Sequence, residues 1–305
     1  MTTHLPEFPD FRLVKLDDYI FFKHYLKLLP PYSDFNFVSL WSYNTQRDLQ
    51  YCLLNGNLVL LMRDYIDERP FLLYLGSNQP EHTIETLLEY AKTNLQQLQI
   101  ALIPYLNIKS SVRDLKKKFV IKKDRANFDY ILSLSQIAEL QGHEFSNKRN
   151  KIVKFKKTYP QAVFSVIDLS LKSNQDQILK VFNRWSESRQ RRDVKHEYQA
   201  IKRLLHDQKH FNLLCYGIYI DDVLEAFTIN ELLPRAYAIT HFTKADPIKI
   251  GVFEFLYHEV AKALKAKGSL YLNREQDLGL DGLRTAKLSW RPIKFLKKYT
   301  ISKRI

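Results

Sequence analysis

Short apolar runs bounded by turn residues, and longer stretches with an apolar residue at every third or fourth position, follow one another in the same order twice along this chain. In the first half a helical segment over 34–44 precedes apolar runs at 49–54 and 58–62. Asn55-Gly56 joins these two runs, and Asn-Gly between apolar runs specifies a tight β-hairpin. A strand over 71–75 follows, then a helix over 81–95 behind Pro80, a strand over 100–103, a short helix over 111–118 and a strand over 119–121. The second half predicts helices over 175–189 and 198–207, strands over 211–220 and 223–232 around Asp221-Asp222, and a strand over 236–242. A helix over 251–266 stopping at Gly268, a strand over 270–273, a helix over 280–288 and a closing strand over 295–301 complete the second set. Two copies of one unit predict an α/β (α+β) protein. Its domains are expected at 1–122 and 123–305, each a mixed, mostly antiparallel sheet flanked by helices.

The 305-residue length agrees with two cores, and 45% apolar residues suffice to fill them. No apolar run reaches the length of a membrane span and no signal-type leader is evident, which leads to the expectation of a cytoplasmic protein. Cys52 and Cys215 lie in apolar strand-like runs without ligand spacing, so they read as reduced core residues, and no metal or cofactor is expected. Charge separates the two halves. Residues 1–122 carry 14 Lys and Arg against 13 Asp and Glu, whereas residues 123–305 carry 33 against 20, so +13 of the net +14 falls in the second domain. Such asymmetry points to an anionic partner, nucleic acid or an anionic membrane surface.

The basic segment 147–159 reads as a helix with Ile152, Phe155 and Tyr159 near one face. Lys148, Arg149, Asn150, Lys151 and Lys154 are its candidate anion contacts. Arg189, Arg191 and Arg192 extend the basic character behind Trp185. Lys244, Lys249 and Gly251 flank the start of the helix over 251–266, whose free amides favour an anion. The densest polar stretch is Asn273-Arg-Glu-Gln-Asp277 at the end of an apolar strand, where a scaffold presents groups to a ligand. In it Glu275 and Asp277 are candidates for catalysis and ammonium binding. Arg274, Arg284 and Lys287 are candidates for phosphate or carboxylate, with Asn273 and Gln276 beside them. Glu275 or Asp277 pairing internally with Arg284, or capping the helix that follows, is the competing structural reading. His241, at a strand end, is the candidate general base, against a structural role within the sheet. No Gly-x-Ser-x-Gly or Cys/His signature is present, which disfavours an acyl-enzyme.

The order of elements is that of the GCN5-related N-acyltransferase fold. Residues Asn273 to Pro292, with Asn127-Phe-Asp-Tyr-Ile131, Lys148-Arg-Asn150 and Ser33-Asp-Phe-Asn-Phe37 followed by Leu40-Trp41, resemble the phosphatidylglycerol lysyltransferase C-terminal domain family almost end to end. The resemblance implies two GCN5-related domains in tandem and transfer of an aminoacyl group from aminoacyl-tRNA to an amine or hydroxyl, such as a lipid headgroup or a peptide. It makes tRNA a partner and the inner membrane face a place of action, with the second domain carrying the site. An acetyl-CoA or acyl-CoA donor is the alternative. It is weakened because Lys244 to Phe253 offers only Gly251 where a pyrophosphate loop needs small residues. A non-catalytic protein that binds RNA or a membrane surface is the third reading. Ser33 to Phe37 and Trp41 read as core and helix-cap material.

Overall fold

The computed structural model describes residues 5–64, 67–187 and 192–304, with the side chains of Arg192 and Asp193 excepted. Arg189, Arg191 and the Arg192 side chain, proposed above as extra basic contacts, lie outside the described residues.

Three sheets organise these residues. In the first half, strands Arg12–Leu13, Gln50–Leu54, Asn57–Arg63 and Pro70–Leu75 form an antiparallel sheet in sequence order. The Asn55-Gly56 hairpin forms as its sequence dictates, with both residues in the left-handed region. Helix Pro80–Leu95 then leads to strand Gln99–Pro104, and helix Val112–Lys118 to strand Phe119–Lys123. In the second half, strands Val163–Val166, Leu213–Ile220, Val223–Leu233 and Tyr237–Ala245 run antiparallel in sequence order. Helix Val252–Ala266 crosses to strand Tyr271–Asn273, which lies parallel to Tyr237–Ala245. The result is the mixed, tandem α/β architecture expected from the order of elements.

The halves exchange their closing strands. Lys298–Lys303, the last strand of the chain, sits between Gln99–Pro104 and Phe119–Lys123 in the first half. Reciprocally, Asp129–Ser133 sits between Tyr271–Asn273 and Lys294–Leu296 in the seven-stranded sheet of the second. The single closing strand expected over 295–301 is therefore two strands in different sheets, with Lys297 at the crossing.

Each face of the seven-stranded sheet is covered. One joins the first-half core through residues such as Ile131, Phe227, Tyr237 and Phe242. The other packs helix Val252–Ala266 and the basic helix Ser146–Thr158, with Phe155, Leu256, Tyr257, Val260 and Leu264 interlocked. Each such side chain contributes roughly 1.5–3 kcal/mol by burial. No helix among the described residues is long and apolar enough to cross a membrane.

Candidate functional site at a parted strand pair

Strands Tyr237–Ala245 and Tyr271–Asn273 are paired only over Tyr237↔Tyr271, Ala238↔Leu272 and Ile239↔Asn273. Beyond that point one strand continues to Ala245 while the other chain turns away, so the ladder opens between them. Arg274 and Glu275 stand at this opening. Consecutive side chains at a strand end take opposite faces, which directs Arg274 to helix Val252–Ala266 and Glu275 to the first half.

On the Arg274 side the guanidinium lies 4.1 Å from the Tyr257 ring centre and 5.9 Å from that of Phe253, and no carboxylate forms an ion pair with it among the described residues. Burial pulls its pKa down to about 9, which leaves it cationic at neutral pH, and the Glu275 charge opposes that shift. Lys148 Nζ lies 4.5 Å over the Trp290 ring, and Trp290 packs on Tyr257 at 4.8 Å. Burial also lowers the Lys148 pKa, although Glu254 Oε1 stands 3.6 Å away. Two cations on adjoining aromatic rings thus form one wall. Phe253 continues this wall into a cleft of about 350 Å³ lined also by Lys151, Trp185, Lys244, Lys249 and Ile250.

On the Glu275 side, the residue itself occupies the left-handed region at φ 55°. A non-glycine backbone there is strained, and surrounding contacts must hold it. Its amide donates to Asn273 Oδ1 at 2.7 Å, and its carbonyl accepts from the Tyr130 amide at 3.2 Å. The carboxylate accepts from Ser39 Oγ at 3.1 Å and stands 4.0 Å from His241 Nδ1. Burial raises the Glu275 pKa, against the pull of His241 and Lys287. His241 is enclosed, with its Nδ1 3.1 Å from Ser39 Oγ and its Nε2 3.5 Å from Glu231 Oε2 and without a hydrogen-bond partner among the described residues.

The remaining candidates are engaged internally. Asp277, fully buried, accepts from Arg125 at 2.9 Å, Tyr130 at 2.5 Å, Arg284 Nη2 and Nε at 2.9 and 3.0 Å, and the Gly279 amide at 2.9 Å. Burial would raise its pKa, but the Arg284 and Tyr130 hydrogen bonds outweigh that and hold it at about 2. Arg284 is thereby occupied, which is the structural alternative weighed for Asp277. Lys287 donates to the carbonyls of Arg274 and Gln276, and so clamps the loop that displays Arg274 and Glu275. Burial, with Arg274 close by, lowers the Lys287 pKa.

Asn273 donates to the Pro31 carbonyl at 2.7 Å, and Gln276 to Asp34 at 2.6 Å. Asp34 and Asp129 both pair with Lys298, which is fully buried, and burial raises Asp34 to about 6 against the pull of that ammonium. Segments 33–37, 127–131 and 273–277, far apart in sequence, therefore converge on one buried lysine.

The basic helix and the cleft divide similarly. Arg149 caps the carbonyls of Leu140 and Gly142, Lys151 pairs with Glu254 at 2.9 Å, and Asn150 and Lys154 are exposed. Lys244 pairs with Glu197 at 2.7 Å, and Lys249 lies 3.8 Å from Glu225. Gly251, at φ 91°, touches the basic helix, where a Cβ would stand 2.5 Å from the Lys151 carbonyl oxygen. That glycine serves helix packing at this point.

Sequence reasoning missed Ser39, Tyr19 and Glu231, whereas Asn36 provides the helix cap expected within Ser33 to Phe37. Asn36 caps helix Phe37–Tyr43 by accepting from the Ser39 amide at 3.0 Å and donates to Glu231 at 2.8 Å, while Tyr19 reaches Glu231 at 3.4 Å. A carboxylate inside the apolar run of strand Val223–Leu233 was the available signal.

The family model described as "Phosphatidylglycerol lysyltransferase, C-terminal" matches residues 27–302. In structure the chain is similar to a conserved protein of unknown function from Bacteroides thetaiotaomicron, with 25% identity over 99% of this chain and 100% of that one, at a TM-score of 0.85. It is similar also to L-PGS from Bacillus licheniformis, with 12% identity over 98% and 94% of the two chains and a TM-score of 0.62. FemX shares 9% identity over 96% and 95%, at a TM-score of 0.58. No curated protein matches the sequence.

Proposed function

The chain belongs to the phosphatidylglycerol lysyltransferase C-terminal family, and from that premise we propose that it moves an aminoacyl group from aminoacyl-tRNA to an amine or hydroxyl acceptor. The observation that carries this reading is Arg274, a cation stacked on Tyr257 with no carboxylate ion-paired to it among the described residues, one residue from Glu275 where the strands part. The family and the likeness to L-PGS and FemX support transferase chemistry, and the acceptor proposed is a lipid headgroup or a peptide.

In this scheme Arg274 and Lys148 hold an anionic part of a substrate, and Glu275 takes a proton from the attacking nucleophile. An aminoacyl ester is already activated, so alignment and charge stabilisation are the main demands on the protein. The new bond forms between the nucleophile and the acyl carbon. The ester bond to the ribose oxygen then breaks, and the proton held by Glu275 passes to that oxygen. Glu275 suits the role because burial raises its pKa toward the working pH. A cysteine acyl-enzyme has little support, since burial raises the Cys52 thiol to about 12 and lifts Cys215 further. His241, enclosed behind Glu275, acts through it in this scheme.

An acyl-CoA donor is the second reading. Gly251 packing against Lys151, and the carboxylate partners of Lys244 and Lys249, tell against a pyrophosphate there. Lys148, Lys151, Lys154 and Asn150 are proposed as the tRNA-facing side, and the cytoplasm, at the inner membrane face for a lipid acceptor, as the place of action. The test is parallel incubation of labelled aminoacyl-tRNA and labelled acetyl-CoA with total lipid or peptide extract. Label is expected to leave the tRNA only, and to stay on it with Arg274→Ala. Label from acetyl-CoA alone overturns the donor, and label from neither favours a binding protein.

A further inference from the structure

We infer that Ser39, on a helix of the first half, is a positioning residue for the second-half site: its hydroxyl ties the Glu275 carboxylate to the His241 imidazole and fixes which ring nitrogen carries a hydrogen. The inference deepens the transferase reading and rests on it for its kinetic consequences only.

The geometry leaves Ser39 little choice. Its Oγ lies 3.1 Å from Glu275 Oε1 and 3.1 Å from His241 Nδ1. A hydroxyl has one hydrogen, and an ionised carboxylate only accepts. The hydrogen therefore goes to Glu275, and Nδ1 brings its own hydrogen to Oγ. Direct contact between His241 and Glu275 is 4.0 Å, so the hydroxyl is the link between them. Behind the ring, Nε2 faces Glu231 at 3.5 Å.

Ser39 is itself held. Asn36 Oδ1 accepts from the Ser39 amide at 3.0 Å while Asn36 Nδ2 donates to Glu231 at 2.8 Å, so one cap fixes the helix and the carboxylate behind the imidazole together. Tyr19 adds a second donor to Glu231 at 3.4 Å. The charged groups that act on Glu275 are His241, Lys287, Arg274 and Asp129, and the Ser39 hydrogen bond favours its ionised form against burial. Loss of that bond raises the Glu275 pKa further.

The test uses the full chain labelled with 15N-histidine. In long-range 1H–15N spectra, one imidazole signal, identified by its loss in His241→Gln, is expected to carry its hydrogen on Nδ1 in the wild type and in Ser39→Thr. In Ser39→Ala its Nδ1 resonance shifts or the tautomer changes. An unmoved His241 signal in Ser39→Ala overturns the inference, whatever the transfer assay gives. With labelled aminoacyl-tRNA, Ser39→Ala is expected to lower kcat by about ten- to a hundredfold, the size of one lost hydrogen bond to a charged group. KM is unchanged, the acid limb of the pH profile moves to higher pH, and Ser39→Thr restores both. A fall in kcat with an unmoved pH profile indicates a merely structural serine and also overturns the inference. A coupled His241 signal without label transfer from any donor sustains the serine link and removes the transferase reading instead.

Discussion

Each half of the molecule has a run of four antiparallel strands whose last leads through a crossing helix to a further strand, yet the two strand ends carry opposite chemistry. In the first half, Pro70–Leu75 leads through helix Pro80–Leu95 to Gln99–Pro104, and the ends are closed by neutral amides. Asn107 donates to the Tyr74 carbonyl at 2.6 Å, and Asn57 bonds Asn78 and Thr83. In the second half the equivalent opening holds Arg274, with no carboxylate ion-paired to it among the described residues, Glu275 at φ 55°, and His241 with its Nε2 3.5 Å from Glu231. The scaffold alone does not make a site. Amides close one copy, whereas in the other charges are held at a gap, where burial raises the pKa of Glu275 and lowers that of Arg274.

The sharpest way to break this comparison is Glu275→Gln, which keeps the shape of the side chain. Transfer is expected to fall about 10²–10⁴-fold, the usual range for a general base, and Arg274→Ala is expected to abolish it as well. Melting temperatures should stay near wild type, because neither side chain completes an ion pair at hydrogen-bond distance. Rates from labelled aminoacyl-tRNA beside thermal melts decide the matter. Wild-type turnover in both variants would remove the opening from the mechanism.

Next in size is the clasp shared by the halves. Lys298 and Asp129 each begin an exchanged strand, are fully buried and pair at 2.8 Å, with Asp34 on the same ammonium. Lys298→Met strands two buried carboxylates and is expected to cost about 3–5 kcal/mol in denaturant unfolding. A single unfolding transition shifted to lower denaturant is the expected form, since both sheets lose a closing strand together. Asn107→Ala sharpens the contrast from the first half. It leaves the Tyr74 carbonyl and Gly76 amide without their partner, for about 1–3 kcal/mol, with the transfer rate per folded molecule unchanged.

Much of this was legible from residue order. The hairpin at Asn55-Gly56, the helix behind Pro80 and the strand over 236–242 follow from local pattern, and each appears close to its expected bounds. The exchange of Asp129–Ser133 and Lys298–Lys303 was not legible, because pairing partners across more than a hundred residues leave no local period. Lys298 shows the limit: in sequence it is one lysine of a basic tail, and only the fold makes it the centre of two carboxylates. The density of polar groups at Asn273 to Asp277 pointed to the strand end that stands at the parted pair. It did not separate Arg274 and Glu275, which face the opening, from Asp277, whose partners lie in segments 125–130 and 279–284. Ser39 was hidden because its helix reads as an aromatic core segment, with the Asn36-to-Ser39 cap as its one polar mark.

Asp277 therefore supplies the finest test, since it sits in the charged half and yet is engaged by internal hydrogen bonds. Burial would raise its pKa, but hydrogen bonds from Arg284, Tyr130 and the Gly279 amide hold it at about 2, below its ordinary 3.8. A carboxylate depressed in the folded state adds stability that is fully present above the unfolded value and is lost as pH falls through the folded one. The wild type should lose this contribution between about pH 4 and pH 2. Asp277→Asn keeps the shape without the charge, and is expected to cost about 1–3 kcal/mol at pH 7. Its difference from wild type should shrink toward pH 2 in urea unfolding. Transfer per folded molecule should hold near wild type, in contrast to Glu275→Gln two residues away. Should Asp277→Asn abolish transfer while its stability matches wild type at every pH, the division of this loop into a displayed pair and a structural anchor fails.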